Sequence, residues 1–62
     1  MDKKYVDIHI VHACNEYVIR EVSNVMLEYR QGFIRINYLV PNIPNVNKLI
    51  VPSMEGLKIY ID

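Results

Sequence analysis

Apolar and polar residues change places along this chain with two different periods. From Tyr5 to Val11 they alternate, with Val6, Ile8 and Ile10 on one side and Asp7 and His9 on the other. That period of two, carried by β-branched residues, predicts a half-buried strand. A second alternation runs from Phe33 to Val40, where Ile34, Ile36, Tyr38 and Val40 oppose Phe33, Arg35, Asn37 and Leu39. Two shorter apolar runs follow, KLIVP (residues 48–52) and LKIYI (residues 57–61), separated by the turn SMEG. The segment VPNIPNVN (residues 40–47) breaks the pattern, because Pro41 and Pro44 cannot donate to a sheet ladder and its asparagines suit turns.

The stretch CNEYVIREVSNVMLEYRQG (residues 14–32) carries the other period. Val18, Val22, Val25, Met26 and Tyr29 follow one another at intervals of four, three, one and three, which is one face of a helix. Asn15 suits an N-cap, Gly32 suits a C-terminal stop, and Glu16 precedes Arg20 by one helical turn. Tyr17, Val18, Ile19, Val22 and Val25 prefer strands, and Val25, Leu27 and Tyr29 alternate into a possible hairpin at YRQGF. The helical period is taken to prevail. The expectation is an α+β fold: one small β-α-β-β-β domain over residues 1–62, with a single helix packed on a mixed sheet. The alternative is an all-β chain of five short strands. In the helical form the first two strands run parallel through a right-handed crossover, and a face carrying Phe33, Leu39, Lys58 and Tyr60 stays without cover.

Size then narrows the functions. A chain of 62 residues lies near the lower limit for an unaided core. Its one cysteine forms no internal disulfide, and two histidines with one cysteine fall short of four zinc ligands. No metal or other cofactor is therefore expected, and oligomerisation is left as the stabilising device, with a dimer favoured. Apolar residues make up 52% of the chain and the formal net charge is zero. Both favour burial against a partner and argue against nucleic acid, whose non-specific affinity depends on neutralising phosphates. No run approaches the ~20 apolar residues of a membrane span. Behind the basic start at Lys3 and Lys4, the polar Asp7, His9 and His12 interrupt any signal-peptide core. The lone cysteine suits a reducing compartment, so a cytoplasmic protein is expected.

Chemistry gathers in one place, HIVHAC (residues 9–14). His9 and His12 point to opposite faces of a strand and cannot chelate one ion there. Cys14 would sit at the N-terminus of the expected helix, where the dipole stabilises a thiolate, with His12 two residues away as a base. This pair is the candidate for a small enzyme completed across a subunit interface. Asp7 and His9 are neighbours on the polar side of the first strand, where a carboxylate raises an imidazole pKa. RQGFIRINY (residues 30–38) shares a basic-Gly-aromatic opening with RNA-binding strands, but Arg35 stands where a second stacking aromatic belongs. A nucleic-acid-binding module thus ranks third.

The leading expectation is a non-enzymatic interaction or regulatory protein, of inhibitor or adaptor type, acting as a homo-oligomer that binds another protein. Its partner-binding residues are expected to be Phe33, Arg35 and Asn37 on the outer strand face, joined by Ile43 and Val46 on the stiff proline-bearing arm.

Overall fold

The computed structural model describes residues 4–62, so Lys3 of the basic start lies outside the described residues. Five strands form one antiparallel sheet: β1 (Val6–His12), β2 (Asn15–Arg30), β3 (Phe33–Leu39), β4 (Asn47–Pro52) and β5 (Lys58–Ile61). Their spatial order is β4-β3-β2-β1-β5. Each strand up to β4 thus pairs with the next one in the chain, and β5 returns to lie beside β1.

The expected helix is absent among the described residues: Asn15–Arg30 is a single strand of 16 residues. The α+β architecture, with its parallel first pair and mixed sheet, is therefore replaced by an all-β one in which β2 is not short. The reason is local. Opposite β1, Ile8 faces Ile19 while Val6 faces Val22, so β2 spends three residues where β1 spends two. Opposite β3, Ser23 faces Leu39 while Met26 faces Asn37, and β2 again carries one residue too many. The extra residues sit beside Glu21 and Asn24, at φ 57 and 52, the left-handed conformation in which a bulge admits a residue. Each bulge turns a spacing of two into a spacing of three, so Val22 and Val25 pack toward the core together, while Met26 and Tyr29 of the expected helical face are exposed. At the first bulge the freed Glu21 N–H donates to Asp7 Oδ1 at 3.0 Å, which keeps the donor satisfied.

The bulges also bend β2, and the bend makes the core. β1 pairs only with residues 15–22 of β2, and β3 only with residues 23–30. One half-sheet is therefore β5, β1 and the first half of β2; the other is the second half of β2, β3 and β4. Ile8 on β1, Val22 at the bend and Ile36 on β3 are fully buried although no helix covers them. Only the two half-sheets folding over each other can exclude water from all three. Ile10, Ile34 and Val51 complete this core, with Leu27, Leu49, Leu57 and Ile59 packed around it. Burying each large aliphatic side chain contributes roughly 1.5–3 kcal/mol, the main term holding a sheet this small together.

Turns close the ladders. Arg30 faces Phe33 across the two-residue turn Gln31–Gly32, with Gly32 at φ 88, so this glycine serves a hairpin rather than a helix end. His12 faces Asn15 across Ala13–Cys14, where Ala13 takes φ 54. In the proline-bearing connection Asn42 lies at φ 67 and the Ile43 N–H donates to the Val40 carbonyl at 3.1 Å. Among the described residues, no helix is long and apolar enough to cross a membrane.

Candidate functional site

Two polar clusters lie on the outward faces of the folded sheet, one on each half. On the first half, His9, Tyr60 and Glu16 come from β1, β5 and β2. His9 and Tyr60 are opposite each other in the ladder, and their rings stack with centroids 4.5 Å apart and planes within 4°. Glu16 Oε2 accepts hydrogen bonds from His9 Nδ1 at 3.0 Å and from the Tyr60 hydroxyl at 3.1 Å. A carboxylate acceptor places a proton on Nδ1. These bonds, His9 first and Tyr60 second, lower the pKa of Glu16; the same carboxylate raises that of Tyr60. His9 Nε2 is buried without a hydrogen bond and stands 3.8 Å from Asp62 Oδ2. Asp7 does not pair with His9, as its position two residues earlier had suggested. It serves the Glu21 N–H and lies 3.8 Å from Arg20.

The second cluster is built on Glu28. Its carboxylate accepts from Asn37 Nδ2 at 2.6 Å, from Arg35 Nε and Nη2 at 3.1 and 3.3 Å, and from Arg30 Nη2 at 2.9 Å. Register explains the meeting: Glu28 faces Arg35 and Met26 faces Asn37 across the β2–β3 ladder. The bonds from Asn37 and then Arg35 hold Glu28 below the usual carboxylate pKa. The guanidinium of Arg35 is thereby fixed in place. Beside it an open depression of about 500 Å³ runs from Asn24, at the second bulge, past Met26 to Val46 and Lys48. Met26, Val46 and the neighbouring Ile50 are exposed apolar side chains on this ground. Lys48 has no ion-pair partner among the described residues.

Of the residues expected to bind a partner, Arg35, Asn37 and Val46 line this depression. Phe33 does not. It lies at the other end of β3, half-buried and opposite Arg30 and Pro52. Ile43 is exposed on the connection but outside the depression. Met26, Glu28, Lys48 and Asn24 were missed. The alternation of Val25, Leu27 and Tyr29 held the signal for the first two, because it puts Met26 and Glu28 on the opposite face.

His12 and Cys14 lose their premise. Cys14 is exposed in the β1–β2 turn, and no helix begins after it. Among the described residues no three His, Cys, Asp or Glu side chains converge to hold a metal. Glu16 and His9 have the relation of an orienting carboxylate to a base, but Nε2 is closed to solvent and no serine or cysteine hydrogen-bonds to it. No protein-family model, curated protein or solved structure matches the chain.

Proposed function

We propose that this chain is a non-enzymatic interaction protein, of inhibitor or adaptor type, working as a homo-oligomer in a reducing compartment such as the cytoplasm. Its partner is a polypeptide that docks on the outer face of the second half-sheet. The carrying observation is the depression beside Arg35: a fixed guanidinium and the ammonium of Lys48, which has no ion-pair partner among the described residues, flanked by exposed Met26, Val46 and Ile50. Interfaces combine apolar contact at the centre with a few well-placed polar anchors, among which arginine is enriched. Glu28 is already shared by three residues, Arg30, Arg35 and Asn37, so the charge open to a partner is positive. The partner chemistry that fits is a segment with a carboxylate beside an apolar side chain.

Selection from a peptide-display library, followed by amide chemical-shift mapping, tests this. The expected ligands are rich in Asp or Glu next to Leu, Ile or Met. They should shift Met26, Arg35, Asn37 and Lys48, and lose affinity for Arg35→Ala and Met26→Asp. Ligands that map elsewhere on the sheet, or a library that yields none, would overturn the reading.

A further inference from the structure

Among the described residues the outer edge of β5 has no neighbouring strand, and it is complementary to itself. Asp7 and Asp62 exchange two backbone hydrogen bonds of 2.9 Å, which fixes the phase of the β1–β5 ladder. Hydrogen-bonded and non-bonded pairs alternate along antiparallel strands. With Ile8 facing Ile61, His9 facing Tyr60 and Ile10 facing Ile59, Tyr60 turns its N–H and C=O toward β1. Ile59 and Ile61 turn theirs outward, and β5 is the last strand on that side of the sheet. The next outward N–H, of Leu57, is already donated to the Met54 carbonyl at 3.2 Å.

We infer that two copies of the chain pair antiparallel through β5, about a two-fold axis at Tyr60. This deepens the homo-oligomer part of the function proposed above and gives it a surface. In that register Ile59 meets Ile61 of the second copy with all four outward backbone groups bonded, and the symmetric contact repeats it. Tyr60 faces Tyr60 of the second copy at a close, non-bonded position. Lys58 faces Asp62 of the second copy, so the sequence KIYID presents opposite charge at both ends of the contact. Ile61 and Tyr60, 43% and 48% exposed in the single chain, are covered by the pairing.

The opposite edge carries a blunting device. The Ser53 N–H donates to the Gly32 carbonyl at 3.0 Å, so by the same alternation Lys48, Ile50 and Pro52 face outward on β4. Pairing two copies about Ile50 sets Lys48 against Pro52, which has no N–H to give. Proline blunts an edge, and β5 carries none.

Sedimentation equilibrium from the micromolar to the millimolar range tests the inference. The mass should move from 7.3 kDa toward twice that value. Ile61→Pro removes an N–H that β1 does not use, and Lys58→Asp sets carboxylates against each other at both ends. Each should weaken dimerisation at least roughly tenfold. Lys58→Asp combined with Asp62→Lys in one chain restores the opposite charges and should restore the dimer. Circular dichroism checks the fold, and should Ile61→Pro unfold, the charge series decides alone. A monomer at millimolar concentration, a dimer indifferent to Lys58→Asp, or no recovery on double reversal would overturn the inference. Arg35→Ala leaves β5 untouched, so failure of the docking face and failure of the dimer are separately visible.

Discussion

His9 and Tyr60 lie plane to plane and direct their polar hydrogens at the same oxygen of Glu16. Three strands are thus tied by one carboxylate, and the edge strand β5 is held to β1 by ring contact as well as by its ladder. Tyr60→Phe should keep the stacking and lose only the hydroxyl bond, whereas Tyr60→Ala should lose both. Amide exchange along residues 58–61 is expected to quicken slightly in the first variant and markedly in the second.

The acid limb of stability follows from two carboxylates. Glu16 and Glu28 both have folded pKa values below the ordinary one, so the folded state binds their protons less readily than the unfolded chain. Their contribution is in full force above the unfolded value of about 4.3 and is lost as pH falls through the folded values. Tyr60 has the opposite sign. Its raised pKa contributes below the unfolded value of about 10 and is lost as pH climbs through the folded value. Urea midpoints measured across the pH range should decline at both ends. Glu28→Gln should flatten the acid decline, and Tyr60→Phe the alkaline one.

Ile36 is fully buried where the second half-sheet meets the first. Ile36→Ala should cost about 2–5 kcal/mol, a large share of what a domain of this size holds. A denaturant titration should show a partly unfolded baseline at room temperature; a loss of less than about 1 kcal/mol would mean that the half-sheets collapse onto the gap.

Ala13 occupies φ 54 in the β1–β2 turn, a left-handed conformation that costs a residue with a Cβ roughly 1–2 kcal/mol. Ala13→Gly should therefore raise stability by about 1 kcal/mol, or a thermal midpoint gain of roughly 4–8 °C. The neighbouring Cys14→Ser, exposed in the same turn, should change stability by less than about 0.5 kcal/mol.

Asn24 tests the second bulge and the depression together. Asn24→Gly should be tolerated, because glycine enters φ 52 without strain. Asn24→Val should lose about 1–2 kcal/mol and shift the amide resonances of Met26 and Glu28, whose facing depends on the bulge.

How much of this was legible depends on the strand. β1 and β3 alternate without interruption, so Ile8, Ile10, Ile34 and Ile36 declare the core, and the apolar runs of β4 and β5 announce themselves by length. β2 alternates too, but it changes phase at Glu21 and again at Asn24, and no local preference marks Glu21 as a left-handed residue. The resulting three-residue step from Val22 to Val25 is one a helix would show, and it joined Val18, Met26 and Tyr29 into an apparent helical face. The site shared that fate. Arg35 and Asn37 lie on a strand that the alternation displays, and Val46 stands out as an apolar residue in the proline-bearing connection, whereas Met26 and Glu28 were hidden inside the stretch read as a helix. Nothing in the order of residues announced that Glu16 would reach His9, because that meeting depends on a hairpin turn at Ala13 and Cys14 in place of a helix start.

The sharing of β2 by both half-sheets bears on how the molecule comes apart. Neither half owns a complete set of three strands, since removing β2 from either leaves a two-stranded ribbon, which is marginal in water. Detaching β4 or β5 exposes one edge; detaching anything further opens both halves at once. The outer strands can therefore breathe independently, while the amides around Val22 exchange only when the whole chain unfolds.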